Sequence, residues 1–437
     1  MPPLNVLYLH SHDTGRFVRP HGHAVPTPNL QAFAERGVLF RQAFSAGPTC
    51  SPSRATLFTG RPPHAVGMYG LAHEGWSLEP GCETLVTTLG RAGYRTVLGG
   101  FQHLTAWADD DWRTLGYAAA SPARNGTAAE RTAAACAFLR GPHDRPFFLD
   151  LGFIETHRRG DADRDGEPIQ WHNGRSEPLG DPRYVRVPAT LPDTPATRTD
   201  FADFLASAER LDRCCGEVLA ALDAAGLRED TIVLITTDHG IAFPGMKCNL
   251  TDHGTGVLMM LAGPERLGLA GGRVIDAMVT HADVFPSLCG WLGLPEPPGL
   301  TGRSLAPLLD GRLDPAQPDA LHDAVFTQVN HHLRREVERA IRTPRFKYIR
   351  RYQDDPITAH STDASVSERV MREAGWGEQP LPAERLHDLW LDPQESCDLA
   401  AGAEHAGTVA ALRGSLEAWM RRHGDPALRH AVPEPAR

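Results

Sequence analysis

Short apolar segments alternate with amphipathic segments along the first half of the chain, and this alternation is the strongest constraint on its fold. Four apolar runs, each ending in a polar or glycine-rich loop, are typical of buried strands: residues 4–10, 94–100, 146–153 and 231–240. Between them lie segments with helical periodicity: residues 28–37, 83–93, 127–140 and 202–226. Strands and helices in alternation predict an α/β fold, with a mainly parallel sheet covered by helices on both faces.

Polar side chains follow the predicted strands at the points where the strands end. Such stretches occur at residues 10–13, 101–103, 155–157 and 238–240. Because ligands of open parallel sheets bind at the carboxyl ends of the strands, we expect these four stretches to meet at one edge of the sheet.

The pattern changes after about residue 310. Residues 323–330 and 339–352 are typical of antiparallel strands, and residues 408–424 form an amphipathic segment that predicts a closing helix. The proline-rich stretch 313–320 is a suitable connection between the two parts. The sequence therefore predicts a catalytic domain at 1–312 and a C-terminal subdomain at 321–437.

Composition excludes several classes of function. The net charge of −10 argues against nucleic acid as a partner, and no apolar run is long enough to span a bilayer, so we expect no membrane partner. The first ten residues lack the basic and apolar regions of a signal peptide. The eight cysteines show no framework spacing, which favours reduced thiols and a cytoplasmic location.

Residues 50–54, Cys-Ser-Pro-Ser-Arg, carry the most specific pattern in the chain. It continues with Leu57, Thr59, Gly60 and Arg61. Taken by themselves, these five residues have a purely structural explanation: a helix that begins with a capped Ser-Pro-Ser next to a buried cysteine. The longer pattern resembles the signature of the sulfatase family, in which the cysteine is oxidised after translation to formylglycine, whose hydrated aldehyde is the nucleophile. At a helix N-terminus the backbone amides favour an anion, and Arg54, one turn on, holds the oxidised side chain.

The resemblance to sulfatases extends over most of the chain, with its blocks in the family's order. Within the family, residues 67–71, 153–160, 237–250 and 330–332 are most similar to the heparan N-sulfatase (N-sulfoglucosamine sulfohydrolase) branch. The resemblance implies an alkaline phosphatase-like α/β fold with a smaller C-terminal antiparallel sheet and helix. It also implies a sulfuric ester hydrolase that acts on an aryl or sugar sulfate or on a sulfamate and is matured by a formylglycine-generating enzyme. The resemblance leaves open whether the protein forms a homo-oligomer.

The resemblance implies a divalent cation held by Asp13, Asp238 and the residue formed from Cys50. His12 and His239 stand where the family usually has aspartate and asparagine. We expect both to be ligands. Replacing oxygen donors by imidazole shifts the preference from calcium toward manganese.

Three further residues match sulfate-binding positions of the family: His103, His157 and Lys247. Lys247 stands where a cation neutralises the charge that builds on the bridging oxygen as the S–O bond breaks. Phe101 departs from the pattern, because the family has a lysine there.

Four other histidines receive roles from the resemblance. With Phe101 replacing a cation, a second metal held by His253, together with either His157 or His10, would supply the missing positive charge. His331 and His332 fall where the N-sulfatase branch has a histidine pair in the sugar pocket.

Two alternatives remain at this point. The Asp-His-Gly pattern also resembles phosphonate monoester and phosphodiester hydrolases that use the same formylglycine. A degenerate homologue that only binds anions would explain Phe101 and His12. No motif identifies the substrate, and we expect specificity to lie in the segments 160–185 and 352–380.

Overall fold

The computed structural model describes residues 3–105, 111–158, 171 and 180–434. Of the segment 160–185, only residue 171 and residues 180–185 are described, and the rest of that predicted specificity segment lies outside the described residues.

The described residues form three sheets and the helices around them: one of eight strands, one of four strands and a short one in which Ala43–Phe44 pairs with Val279–Thr280. The strands are β1 Asn5–His10, β2 Val38–Phe40, β3 Ala43–Phe44, β4 Arg95–Leu98, β5 Ala119–Ala120, β6 Phe147–Gly152, β7 Thr231–Thr236, β8 Met259–Ala262, β9 Arg273–Ile275, β10 Val279–Thr280, β11 Val325–His331, β12 Arg335–Arg342, β13 Phe346–Arg351 and β14 Glu384–Asp388. The helices are α1 Pro28–Arg36, α2 Cys50–Thr59, α3 Leu85–Arg91, α4 Ala128–Arg140, α5 Pro195–Ala224, α6 Asp252–Thr255, α7 Val284–Leu292, α8 Ala306–Leu309, α9 Val366–Glu373 and α10 Ala406–Arg422.

The larger sheet has eight strands in the order β5-β4-β6-β1-β7-β8-β2-β9. β1 pairs in parallel with both β6 and β7, and β4 pairs in parallel with β6. β8 runs antiparallel to both of its neighbours. These four strands, β4, β6, β1 and β7, are adjacent and parallel. Their carboxyl ends therefore lie next to one another along one edge of the sheet.

Side chains of β1 alternate between two apolar layers, one on each face of the sheet. Val6 and Tyr8 belong to the layer that includes Phe58 of α2. Leu7 and Leu9 belong to the layer that includes Val218 and other residues of α5. All six residues of β1 are buried, as expected for a central strand covered by helices on both sides.

Helix α5 begins earlier than the sequence pattern predicts, at Pro195 rather than at residue 202. The Thr194 hydroxyl accepts a hydrogen bond from the Thr197 amide (3.2 Å), and proline occupies the first turn. Both features favour a helix start, although this first turn precedes the apolar periodicity from which the helix was predicted.

The smaller sheet is antiparallel, in the order β11-β12-β13-β14. Its apolar face packs against α10, where Ile341 and Tyr348 share a buried cluster with Leu416 and Met420. All of these elements follow residue 321.

The predicted fold class is confirmed: a large, mainly parallel sheet between helices, and a smaller antiparallel sheet with a closing helix. No helix within the described ranges is long and apolar enough to cross a membrane.

Candidate active site

The ends of four neighbouring strands meet as the alternation of strands and helices predicts. The His12 ring, beyond β1, lies 4.4 Å from the His157 ring beyond β6 and 6.3 Å from the His239 ring beyond β7. The His103 ring, beyond β4, lies 6.0 Å from His12. Residues far apart in the chain thus surround one point at the carboxyl edge of the sheet.

Two carboxylates and two imidazoles form the centre of this site. The Asp13 amide donates to Asp238 Oδ1 (2.8 Å). His12 Nδ1 lies 2.7 Å from Asp13 Oδ1 and 3.2 Å from Asp238 Oδ2. His239 Nε2 lies 3.2 Å from Asp13 Oδ1. All four residues are buried, so their polar atoms are directed at one another rather than at solvent.

The donor set fits a divalent cation. One donor atom from each of His12, Asp13, Cys50, Asp238 and His239 lies within 4.8 Å of all the others. The contact of His239 Nδ1 with the Gly240 carbonyl (2.9 Å) requires a proton on Nδ1, which leaves the Nε2 lone pair facing the cluster. Burial lowers the pKa of His12 to about 3, so this imidazole is neutral. Neutral imidazoles beside carboxylates are ligands suited to manganese or zinc-like ions.

Two buried cations keep the carboxylates ionised. Lys247 Nζ lies 2.9 Å from Asp13 Oδ2, and Arg54 Nη2 lies 2.9 Å from Asp238 Oδ2. Burial alone would raise the pKa of Asp13, but the adjacent Lys247 ammonium holds it well below its ordinary value. The Arg54 guanidinium likewise opposes burial beside Asp238, whose pKa is also lowered. Both side chains are therefore available as charged ligands.

Cys50 is the first residue of α2, and its Sγ lies 3.4 Å from His239 Nε2. Only 1% of Cys50 is exposed, and burial raises the pKa of its thiol well above the ordinary value. An uncharged thiol is a poor nucleophile, because the thiolate is the reactive form. The side chain is placed at the centre of the site, yet as a thiol it is not activated for attack.

Arg54 connects the start of α2 to the end of β1. Besides Asp238, its guanidinium contacts the Ser11 carbonyl (3.1 Å) and His10 Nδ1 (2.6 Å). His10 Nε2 in turn lies 2.7 Å from Asp150 Oδ1. Since both ring nitrogens of His10 are engaged, this residue supports Arg54 from behind the cluster.

His253 is not brought into the cluster. It lies on α6 beside Asp252, which is paired with Lys347 and Arg342. Within the described part of the chain, neither His253 nor His10 is among the donors that converge with His12 and Asp13.

The open side of the site is lined by His157, Lys247 and Asp363. Lys247 Nζ lies 3.5 Å from His157 Nε2 and 2.9 Å from Asp363 Oδ2. The His157 and Asp363 side chains are 29% and 20% exposed, whereas Lys247 is buried. Asp363 falls within the segment 352–380, where we expect specificity to lie. It belongs to no motif, however, and no spacing in the sequence identifies this residue, which lies 116 residues from Lys247 in the chain.

The two predicted substrate histidines have different surroundings. His332 lies near Lys247 and Asp363, and burial lowers its pKa to about 4. His331 Nε2 lies 3.0 Å from the Pro433 carbonyl, and its ring lies 5.2 Å from that of Trp76. Of the pair, His332 is the one within electrostatic reach of the site.

Phe101 and His103 form the wall on the β4 side. The Phe101 ring lies 5.2 Å from the His12 ring and 5.7 Å from the Arg54 guanidinium carbon. His103 Nε2 lies 2.9 Å from Nδ1 of the exposed residue His73. An aromatic ring therefore stands where the family pattern has a cation, beside a pair of hydrogen-bonded histidines that reaches the surface.

Comparisons with known proteins agree with this geometry. A family model described as Sulfatase matches residues 5–294. The chain is 31% identical to human N-sulphoglucosamine sulphohydrolase, over 97% of this chain and 91% of that protein. Two solved structures resemble its fold at 21% identity. One is a 2-O GAG sulfatase (TM-score 0.71; 99% of this chain, 95% of that one). The other is the phosphonate monoester hydrolase of Agrobacterium radiobacter (TM-score 0.70; 98% and 97%).

Proposed function

The chain belongs to the sulfatase family and is an enzyme of the sulfuric ester hydrolase class, and we propose that it hydrolyses a sulfate ester or a sulfamate at the site around Cys50. One observation carries this proposal. Cys50 begins α2 at 3.4 Å from His239, inside a cluster of carboxylates and imidazoles that fits a divalent cation. Because the buried thiol is uncharged, we propose that a formylglycine-generating enzyme converts Cys50 to formylglycine, which supplies a hydroxyl nucleophile once hydrated.

The cation site consists of His12, Asp13, Asp238, His239 and residue 50 in this proposal. A bound divalent cation supplies positive charge for the sulfate oxygens and the nucleophile. The two imidazoles favour manganese over calcium. Arg54 fixes the start of α2 against Asp238, which holds residue 50 beside the cation ligands.

Lys247, His157 and His103 act on the substrate. Lys247 stabilises negative charge on the sulfate and the leaving atom as the bond breaks, and His157, 3.5 Å from it, donates a hydrogen bond or a proton on the same side. His103 lies on the opposite wall, where its bond to His73 connects it with the surface.

We propose a sulfated sugar or an aryl sulfate as the substrate. The name of the human relative denotes an N-sulfated amino sugar, and the alignment covers nearly the whole chain. The imidazole ligands also support an alternative, hydrolysis of phosphonate monoesters or phosphodiesters, because the site would bind a phosphoryl group in the same way.

Kinetics on paired substrates separate the two functions. We expect 4-nitrocatechol sulfate to be hydrolysed with a higher kcat/KM than bis(4-nitrophenyl) phosphate. Cys50→Ala should reduce turnover of both by about 10⁵-fold or more, as removal of a nucleophile does in other hydrolases. Cys397→Ala, which removes an exposed thiol, is the matched control and should leave turnover unchanged. Wild-type rates in the Cys50→Ala variant would contradict the proposal, and a faster phosphodiester reaction would favour the alternative.

A further inference from the structure

Lys247 is held between two carboxylates that belong to different parts of the site. Its ammonium lies 2.9 Å from Asp13 Oδ2 and 2.9 Å from Asp363 Oδ2. Asp13 is one of the cation ligands, whereas Asp363 lies on the open side beside His157. Lys247 and His157 outweigh burial and lower the pKa of Asp363 to about 2, so this side chain carries a negative charge at neutral pH.

The position of Asp363 is fixed by the smaller sheet. Glu336, a fully buried residue of β12, accepts hydrogen bonds from the Ser361 amide (2.7 Å) and the Ser361 hydroxyl (3.0 Å). The His360 ring lies between Glu336 and Glu338, at 3.9 and 3.7 Å from their carboxylates. Two residues of the three that precede Asp363 are therefore anchored, and its carboxylate is held in place rather than carried on a free loop.

A fixed carboxylate next to the sulfate-binding lysine has a consequence for specificity. The sulfate of a substrate bound at Lys247 is an anion, and it would lie near the Asp363 anion. An ionised carboxylate accepts hydrogen bonds but donates none. The repulsion is offset only when the substrate presents a hydrogen-bond donor to Asp363. A site that hydrogen-bonds a substrate group discriminates strongly against analogues that lack the group.

We propose that Asp363 is a specificity-determining residue, which selects substrates that carry an N–H or O–H group next to the sulfate. The substrate class is thereby narrowed to sulfated amino sugars, hydroxyl-bearing sugar sulfates and ortho-hydroxyaryl sulfates, and plain aryl sulfates are disfavoured. This inference rests on the proposed sulfatase activity and on the sulfate lying at Lys247.

The test uses two aryl sulfates that differ in one donor. 4-Nitrocatechol sulfate carries a hydroxyl ortho to the sulfate, and 4-nitrophenyl sulfate has hydrogen there. The assays are run at mildly acidic pH, where this nitro-activated hydroxyl keeps its proton while Asp363 stays ionised. We expect Asp363→Asn to lower kcat/KM for 4-nitrocatechol sulfate by about tenfold to a hundredfold, since a hydrogen bond to a charged group is lost. For 4-nitrophenyl sulfate the variant should equal or exceed the wild type. Dividing the ratio of the two kcat/KM values for the variant by the same ratio for the wild type cancels the difference between the leaving groups.

Inhibition by inorganic sulfate gives a second readout that a purely structural role would not produce. Sulfate has no donor for Asp363, so Asp363→Asn should bind it more tightly and show a lower inhibition constant. The matched control is Asp354→Asn, an exposed aspartate nine residues away, which should change neither measurement. A thermal unfolding curve confirms that each variant is folded.

Three outcomes would overturn the inference. If Asp363 only holds Lys247, the variant would lose activity on both substrates in the same proportion and bind sulfate more weakly. An unchanged substrate ratio with unchanged sulfate binding would also contradict it. If the wild type hydrolysed neither of these aryl sulfates and did not hydrolyse N-sulfoglucosamine, the proposed function would fail, and this inference with it.

Discussion

The four residues Thr-Asp-His-Gly occur twice in this chain, at 237–240 and at 251–254, and the two copies have different environments. They lie side by side, since the Gly240 amide donates to the Gly254 carbonyl (2.8 Å). The first copy follows β7, in the middle of the large sheet. The second opens the short helix α6 after a loop. Identical residues thus occupy adjacent positions with unrelated neighbours.

In the first copy, the aspartate and the histidine share their surroundings with a second acid–histidine pair. Asp238 and His239 face Asp13 and His12, and all four side chains are directed at one point beside Cys50. In the second copy, both carboxylate oxygens of Asp252 are paired with cations: Lys347 lies at one of them and Arg342 at the other (3.2 Å). The backbone amide of Asp252 donates to Glu395.

The difference shows that buried charge alone does not identify an active site. Both copies combine carboxylates with cations in a buried setting. Only the copy at the strand end directs several acceptor atoms from separate elements at a common point, which is what a cation requires. The cluster around Asp252 instead joins α6 to the smaller sheet through Lys347 of β13.

The largest expected effect comes from removing each copy in turn. Asp238→Ala/His239→Ala should weaken manganese binding by at least about 100-fold and abolish activity, because two of the ligands are lost. Asp252→Ala/His253→Ala should leave manganese affinity unchanged. It should lower the free energy of unfolding by about 3–5 kcal/mol, since Lys347 and Arg342 lose their buried partner.

Isothermal titration with manganese and with calcium, alongside urea unfolding, measures both quantities. The wild type should prefer manganese. The first double variant also leaves Arg54 unpaired, so its stability will fall as well, and metal affinity is the measurement that separates the copies. Equal loss of metal binding in the two variants would show that the comparison is wrong.

A smaller expected effect is a pH dependence of the free energy of unfolding, caused by Glu395, which contacts Asp252 of the second copy. Burial, against the attraction of Lys347, raises the pKa of Glu395 from 4.5 to about 7. The folded state then binds this proton more tightly than the unfolded chain. Glu395 therefore contributes stability that is complete below pH 4.5 and is lost as the pH rises through about 7.

Glu395→Gln, which is uncharged at every pH, should flatten this dependence. Compared with the variant, the wild type should lose about 1–2 kcal/mol of unfolding free energy between about pH 5 and pH 8. Urea unfolding at a series of pH values provides the comparison. Parallel curves for the two proteins would exclude Glu395 as the titrating group.

The sequence predicted the large sheet because strand periodicity and helix periodicity are local properties, and β1, β4, β6 and β7 all lie within the predicted segments. It predicted the family, now confirmed, because the pattern at Cys50–Arg54 is contiguous. The strand-end rule also identified the four stretches that meet. These features need no knowledge of contacts between distant residues.

The remaining features depend on such contacts. Asp363 reaches Lys247 from a loop that is anchored on Glu336 of β12, and no periodicity records a contact 116 residues apart. The sequence suggested His253 as a ligand of a second metal because the resemblance implies a further histidine after Asp-His-Gly. The two histidines differ in their position relative to β7: His239 follows this strand directly, whereas His253 lies on α6. The four residues of each copy carry no information about that position.

The central claim is that residue 50, after conversion from cysteine, is the nucleophile at a cation site formed by the ends of β1 and β7 and the start of α2. Its most direct test is turnover measured against the fraction of Cys50 converted. Co-production with graded amounts of a formylglycine-generating enzyme would give a series of preparations. The tryptic peptide 42–54 reports conversion by the mass lost when the thiol becomes an aldehyde. We predict that turnover of 4-nitrocatechol sulfate rises in proportion to the converted fraction, from zero at zero conversion. Full turnover by a preparation in which Cys50 is entirely thiol would contradict the account.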